Sequence, residues 1–374
     1  MGSNPFPSAS HNFFYEEGAV DFQKVGMIHH NHERSFQGYT TVATFRSNTV
    51  LLIDGEGEEK HKWELPGALG SLAYLLPGGN LLCSVMIETD IPLSTARGGR
   101  ILELSWDGDI VWEYTDSTQH HDFRCLPNGN TIYIGWRALP DEFAARVGGG
   151  IPGTEIEGKM YEDYYREVSQ DGETVWEWST SELNPEDYPI SHGLDRGEFG
   201  HGNTVCPLPD GNLLINFRNL DTIAILDREK RKLIWEKRDE HWGRPHDPQP
   251  VAEGSRILFF ANGAFDKPKP QRSALIELDA KSGEEVWRWE AGIPWTFYSH
   301  VMGGVQRLPN GNTLVCESVY GRIFEVDGET GEVVWDYINP DFSAPYPTAR
   351  ELANSIFRAY RYAADSPEIA GRLS

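Results

Sequence analysis

The sequence predicts an all-β fold, a six-bladed β-propeller, and two repeated patterns support this prediction. The first is an apolar strand, a polar turn and a second strand that ends in tryptophan, and it recurs six times, ending at Trp63, Trp112, Trp176, Trp235, Trp287 and Trp335. The second is a strand pair around a Gly-containing turn, as in VQRLPNGNTLVCES. Successive tryptophans are 48 to 64 residues apart, which is the length of a four-stranded blade with its loops.

Each repeat unit supplies one four-stranded antiparallel blade. Asn-Gly and Asp-Gly pairs occupy the turns, where the positive φ angles of tight hairpins favour them. The Gly-turn pair provides strands A and B, and the tryptophan pair provides strands C and D. Strand A should line the central channel, and strand D should lie at the outer edge.

The two ends of the chain should close the ring. The first repeat, from Tyr39 to Leu65, provides strands B, C and D but no strand A, while SIFRAYRYA, residues 355–363, has no partner. We expect this C-terminal strand to join the first blade, which leaves no open sheet edge. The alternative is a C-terminal helix packed outside the ring. The predicted division is an N-terminal extension over residues 1–38 and a single propeller domain over residues 39–374.

The amino-acid composition limits the classes of molecule that this protein is expected to bind. The 374 residues contain 33 Lys and Arg against 57 Asp and Glu, a net charge of −24 that repels nucleic acid and anionic membranes. No apolar stretch has membrane-spanning length, and Met1–His11 lacks the pattern of a signal peptide. We therefore expect a cytoplasmic protein with a small-molecule partner. The four cysteines lack metal-binding or disulfide spacing, and nothing indicates the oligomeric state.

Four histidines precede or begin predicted A strands of successive blades: His121, His201, His246 and His300. The long connections all fall on the face where A strands begin, so these side chains should converge at one mouth of the channel. A second group, His29, His30 and His32 in MIHHNHERSF, precedes the first blade and is interpreted as a solvated or locally packed segment.

Several longer motifs resemble the arylsulfotransferase family of propeller proteins. They are FQGYTTV, HGNTVCPLPDGNLLINFRNLDTIAILD, RPHDPQPV, FFANG and the closing FRAYRY, and the resemblance extends from about Ser35 to the C-terminus. It implies transfer of a sulfuryl group between phenolic compounds through a sulfated histidine, with an aromatic small molecule as substrate and no cofactor.

The resemblance also assigns roles to individual residues. His300 is the expected nucleophile, with His246 and His201 as the other catalytic residues. The residues expected to bind substrate are Asn203, His121, Arg272, Lys267, Trp295 and Tyr298. Lys267 and Arg272 are included because the arginine that the family places after Asn262-Gly263 is replaced by Ala264.

Two other functions fit the same residues. One is a metal-dependent lyase, dehydratase or hydrolase in which His121, His201, His246 and His300 hold one Zn²⁺ or Mn²⁺. The other is a non-catalytic binding propeller that presents Trp136, Trp242, Trp295 and Tyr298 to a ligand. A quinone cofactor is least favoured, because quinoprotein propellers generally have more blades.

Overall fold

The computed structural model describes residues 24–264, 270–293, 295–344 and 351–373. These residues form six antiparallel sheets arranged as the blades of a propeller, which confirms the predicted fold. The innermost strands of neighbouring blades contact one another around a central channel.

The strands follow the predicted order within each blade, from the channel outward. Blade 1 contains β27 (Arg361–Tyr362), β2 (Tyr39–Val42), β3 (Thr49–Ile53) and β4 (Glu59–Glu64). Blade 2 contains β5 (Leu69–Leu75), β6 (Leu81–Met86), β7 (Gly99–Leu104) and β8 (Ile110–Thr115). Blade 3 contains β9 (Gln119–Cys125), β10 (Thr131–Ala138), β12 (Tyr161–Val168) and β13 (Thr174–Ser179).

Blade 4 contains β15 (Gly202–Pro207), β16 (Leu213–Phe217), β17 (Thr222–Asp227) and β18 (Lys232–Arg238). Blade 5 contains β19 (His246–Val251), β20 (Arg256–Ala261), β21 (Ala274–Asp279) and β22 (Glu285–Trp289). Blade 6 contains β23 (Gly304–Arg307), β24 (Thr313–Glu317), β25 (Arg322–Val326) and β26 (Val333–Ile338), and β1 (Gly26–His30) adds a fifth strand to its outer edge.

The connections contain little other regular structure. A parallel pair is formed by β11 (Gly149–Ile151) and β14 (Ile190–Asp195), and one short helix, α1, spans Asp141–Ala144. The 3₁₀ helices span Thr180–Glu182, Arg218–Leu220, Glu240–Trp242 and Ser318–Tyr320. Within the described residues, no helix has the length and apolar character needed to span a membrane.

Burial falls from the inner to the outer strands. Strand β16 is buried at every position, whereas the outermost β18 alternates between exposed and half-buried residues. Blade tryptophans on outer strands are therefore half-buried, as for Trp112, Trp176, Trp235 and Trp287. Trp335 and Trp63 are fully buried because β1 pairs with β26 and the C-terminal Ile369 packs in the Trp63 cluster.

The C-terminal segment closes the ring, as predicted. Tyr362 pairs with Tyr39 and Arg361 with Thr40 in antiparallel register, and the amide of Phe45 donates to the carbonyl of Ser355 at 2.7 Å. Arg361 also crosses the seam, because its guanidinium contacts the Glu325 carboxylate of blade 6 at 2.6 Å. The segment before residue 39 also contributes to the propeller, because β1 pairs with β26 of blade 6.

Arg358, in the same closing segment, lies fully buried at the centre of the ring. Its guanidinium pairs with Asp122 of blade 3 at 2.9 Å and with Asp247 of blade 5 at 3.2 Å, and it donates to the carbonyl of Asn203 in blade 4 at 2.6 Å. Each aspartate also accepts from the next blade, Asp122 from the amide of Val205 and Asp247 from that of Val305. One cation thus links the inner strands of several blades.

Replacing Arg358 with methionine should destabilise the fold strongly. Methionine preserves much of the volume but leaves the buried Asp247 without its cation and the buried Asp122 with Arg124 alone, a loss of about 3–5 kcal/mol in the free energy of unfolding. Arg288→Met is the matched control, since that arginine pairs with Glu285 and Glu290 at the surface, where ion pairs contribute about 0–1 kcal/mol. Urea unfolding of the three proteins measures the difference. Equal losses in both variants would contradict a central role for Arg358.

Candidate functional site

A cavity of about 320 Å³ lies where the inner strands begin, and three of the four predicted histidines line it. They are His121, His201 and His246, and each is at most 5% exposed. The other lining residues are Phe45, Arg46, Ser94, Thr95, Ala96, Arg218, Val301, Met302, Ser355 and Phe357. The cavity therefore combines imidazoles, two guanidinium groups and an apolar wall.

The backbone at the start of these inner strands is unusual. His121 and His201 both have left-handed φ angles, +52° and +55°, which non-glycine residues seldom adopt. The pairing of β9 with β10 shifts register beside His121, and the pairing of β19 with β20 shifts just after His246. Bulges of this kind redirect side chains. Strained conformations held by the surrounding structure are a feature of functional sites.

His246 has a fixed tautomer. Its Nδ1 lies 2.7 Å from Oδ1 of Asn262, and the Asn262 amide nitrogen donates to the carbonyls of Ser299 and Met302. The amide orientation makes Oδ1 the acceptor, so Nδ1 carries the hydrogen and Nε2 carries the lone pair. Burial, and then the positive charge of Arg218, hold the pKa of His246 well below its ordinary value. The imidazole is therefore neutral near neutral pH.

His201 is held by a carboxylate. Its Nδ1 lies 2.9 Å from Oε1 of Glu198, and Oε2 of Glu198 accepts from the indole nitrogen of Trp136 at 2.9 Å. Burial alone would raise the pKa of the Glu198 carboxyl, but the charge and hydrogen bond of His201 hold it below its ordinary value. The Glu198 carboxylate therefore fixes the orientation of the His201 imidazole.

His121 packs against its neighbours. Its ring lies 4.7 Å from that of His201, and its Nδ1 is 2.6 Å from Nδ1 of His120. His120 in turn stacks on Trp136 at 3.9 Å. Burial and the neighbouring histidines lower the pKa of His121 well below its ordinary value. His121 is thus a neutral group whose Nε2 remains for a ligand.

Two arginines supply positive charge that the sequence analysis did not assign to the site. Arg218, 9% exposed, directly follows β16 and donates to Asn219 Oδ1 at 3.0 Å, and burial lowers its pKa to about 10. Burial, and then the charge of Arg97, lower the pKa of Arg46, and in the described structure its buried Nε has no hydrogen-bond partner. Both side chains remain cationic near pH 7. They would attract an anion.

Comparison with known families identifies the family of this chain. A sequence model described as arylsulfotransferase (ASST) matches residues 98–340, which is more than half of the chain. The chain belongs to the arylsulfotransferase family. The matched region contains His121, His201, Arg218 and His246. No curated protein matches this family member in sequence.

Several solved structures resemble this family member to different degrees. A protein of unknown function from Bacteroides caccae is 15% identical, with 80% of this chain and 93% of that one covered and a TM-score of 0.51. Virginiamycin B lyase from Staphylococcus aureus is 12% identical, with 86% and 90% covered and a TM-score of 0.45. BamB from Moraxella catarrhalis is 14% identical, with 84% and 75% covered and a TM-score of 0.38. At 15% identity, the first of these comparisons shows the fold alone.

His300, the predicted nucleophile, is not brought to the cavity with the other three histidines. It is exposed and lies four residues before β23 begins at Gly304, whereas His246 is the first residue of β19. The late start of the inner strand in blade 6 leaves His300 on a surface loop, while the following Val301 and Met302 line the cavity. Burial, and then Arg218 and Arg244, lower its pKa.

Of the other predicted binding residues, Arg272, Trp295 and Tyr298 lie outside the cavity lining, whereas His121 lines it. Arg272 pairs with Glu290 at 3.1 Å in a separate concavity, and Lys267 lies outside the described residues. Trp295 is 62% exposed, and the hydroxyl of Tyr298 donates to Gln271 at 3.0 Å.

Asn203 holds the backbone next to His246 and does not line the cavity. It is fully buried, and its Nδ2 donates at 3.2 Å to the carbonyl of Pro245, the residue before His246. Trp136 and Trp242, proposed as ligand-facing in a binding propeller, are buried in the structure. These two tryptophans therefore contribute to the packing of the fold and do not face a ligand.

The cavity histidines do not form a compact ligand set for a metal. Among the described residues, the group of His, Cys, Asp and Glu with three ligand atoms within 4.8 Å of one another is His30, His32 and Glu56, outside the channel. Nδ1 of His201 and Nδ1 of His246 are already engaged, and Arg218 and Arg46 add positive charge that would oppose a cation.

The neutral state of His246 should appear in the pH dependence of stability. Its folded pKa is depressed, so below pH 6.5 the unfolded chain binds a proton that the folded chain does not. The free energy of unfolding therefore decreases as the pH falls from 7 to 5. Above pH 7, the titration of His246 does not change it. His246→Gln should reduce this slope by about 1.4 kcal/mol per pH unit. Chemical unfolding at several pH values tests this, with exposed His29→Gln as control. Identical slopes in wild type and His246→Gln would contradict it.

Proposed function

We propose that this protein is a sulfotransferase that moves a sulfuryl group from an aryl sulfate to a phenol, with Nε2 of His246 as the nucleophile. The observation that carries the proposal is the neutral, tautomer-fixed imidazole of His246 in a cavity that also holds two arginines. A neutral nucleophile beside fixed cations suits attack on an anionic ester.

His246 meets the requirements of a nucleophile better than its neighbours. Asn262 holds the hydrogen on Nδ1, which leaves the Nε2 lone pair, and burial keeps the ring unprotonated. Hydrogen bonds to the carbonyl of Pro245 from Asn203 at 3.2 Å and from Asn216 at 2.7 Å hold the preceding backbone in place. The nucleophile is therefore preorganised before substrate enters.

The arginines would bind the sulfate oxygens. The sulfuryl group carries its negative charge on these oxygens in both the ester and the transition state. Arg218 and Arg46 line the cavity, and the Nε of Arg46 is a buried donor without a partner in the described structure. A bound sulfate oxygen would satisfy it.

His201, supported by Glu198, would transfer the proton to and from the phenol oxygen. In the first half-reaction, the S–O bond to the phenol oxygen breaks as the N–S bond to His246 forms, and the departing phenolate takes a proton from His201. In the second, His201 accepts the proton of an acceptor phenol, whose oxygen attacks sulfur as the N–S bond breaks. The enzyme ends as it began, and the net result is one sulfuryl group moved.

The size and lining of the cavity suit one aromatic ring. Its volume of about 320 Å³ lies at the low end for small-molecule pockets. Phe45, Phe357 and Met302 add apolar surface to the lining. We therefore propose simple phenols and their sulfate esters as the substrate class.

His246→Ala should abolish transfer from 4-nitrophenyl sulfate to a phenol. Rapid mixing with the donor alone should release one equivalent of nitrophenol in wild type and leave the mass of one SO₃ on a peptide containing His246. His300→Ala is the matched control and should retain most of the activity, because His300 lies on a surface loop. A modified His300, or full activity in His246→Ala, would refute the assignment. Loss of wild-type activity to a chelator would favour the metal-dependent alternative.

Arg218→Met should lower kcat/KM for 4-nitrophenyl sulfate about 100-fold to 1000-fold, the usual effect of removing one electrostatic contact to the transition state. Arg218→Lys should recover part of it, because lysine restores the charge without the planar geometry. Steady-state kinetics distinguish the variants. Unchanged kcat/KM in Arg218→Met would mean that the sulfate binds elsewhere.

A further inference from the structure

We propose a second site, separate from the channel, in which His30, His32 and Glu56 bind one zinc ion and fasten the N-terminal strand to blade 1. His30 is the last residue of β1, the fifth strand of blade 6, and His32 follows two residues later. Glu56 lies in the turn between β3 and β4 of blade 1. The site therefore joins two blades that are adjacent only because the ring closes.

The ligand atoms are already arranged as a metal requires. Nδ1 of His30 lies 3.1 Å and Nδ1 of His32 lies 3.3 Å from the same oxygen, Oε1 of Glu56, and the three atoms lie within 4.8 Å of one another. Zinc bonds to nitrogen and oxygen are about 2.0–2.1 Å, so ligands of a tetrahedral ion are about 3.3 Å apart. The two measured separations match that spacing.

The setting of His30 also favours a bound cation. Its side chain is only 5% exposed, and its Nδ1 faces the Glu56 carboxylate at 3.1 Å without forming a well-aligned hydrogen bond. Its other nitrogen, Nε2, is 2.9 Å from the hydroxyl oxygen of Ser35, which also accepts from Gln37. Zinc-bound histidines commonly donate their second ring N–H to such an acceptor. With Nε2 as the donor, the Nδ1 lone pair points towards a carboxylate, an arrangement that a cation between them stabilises.

The chemical types of the three ligands favour zinc over calcium and magnesium. Two imidazoles and one carboxylate suit Zn²⁺ and exclude Ca²⁺ and Mg²⁺, which prefer oxygen. His32 and Glu56 are more than half exposed, with side chains 66% and 55% accessible, so water can reach the fourth position. The bound ion would hold residues 30–32 against the β3–β4 turn, where Trp335 already donates to the carbonyl of Gly55 at 2.7 Å.

The test is calorimetric titration of ZnCl₂ into the metal-free full chain, together with thermal unfolding. Wild type should bind one equivalent at this site, and saturating zinc should raise Tm by about 2–4 °C, because the ion binds the folded state. His32→Gln and Glu56→Gln should each weaken binding at least tenfold and remove the Tm shift. Both residues are exposed, so these variants should fold normally. His29→Gln is the matched control, since His29 lies on the same strand, is exposed and is not a ligand.

Co²⁺ provides a readout of geometry. Wild type and His29→Gln should show the visible absorption of four-coordinate Co²⁺, and the two ligand variants should not. The proposal fails if wild type binds no zinc at micromolar concentrations, or if His29→Gln weakens binding as much as His32→Gln. It also fails if binding survives in both ligand variants but is lost in His201→Gln, which would place the ion in the channel.

Discussion

The buried guanidinium of Arg358 is the constraint on which the ring and the cavity both depend. It neutralises Asp122 and Asp247, and each aspartate directly follows a cavity histidine, His121 and His246. The carboxylates also accept backbone amides of the next blade, at Val205 and Val305. An ion pair of this kind tolerates little displacement, because any separation exposes an uncompensated buried charge. The positions of His121 and His246 therefore depend on the closure of the fold.

This arrangement would allow an acidic protein to accept the anionic substrate that we propose. The net charge of −24 is spread over a large surface, and salt screens such charges beyond about 8 Å at physiological ionic strength. Arg218 and Arg46 line the cavity, in surroundings that water screens poorly. Both charges among the lining residues are therefore positive. Burial and the charge of Arg218 keep His246 unprotonated, so in the proposed reaction substrate binding and nucleophilicity would share one electrostatic cause.

The repeats were sufficient to predict the six blades, the antiparallel order and the closing strand, because tryptophan spacing and Gly turns report local structure. The site was predicted less completely, because proximity of a histidine to strand A does not fix where that strand begins. His246 begins β19, but His300 precedes β23 by four residues and falls outside the cavity lining. Arg218 stands in the quoted motif LLINFRN, yet only the ring geometry places the end of β16 beside the histidines of neighbouring blades.

The closure of the ring and the lining of the candidate site share one short peptide, residues 355–361, and this limits how the protein can evolve. Ser355 and Phe357 line the cavity, Arg358 holds the inner strands, and Arg361 reaches Glu325 across the seam. A substitution that loosens this peptide acts on the cavity wall and on the ring simultaneously, so its effects on activity and stability cannot be separated. Arg218 and His201 lie on blade 4, away from the seam. Substrate preference can therefore change most freely on that side, where the cavity is built by a blade that the closure does not interrupt.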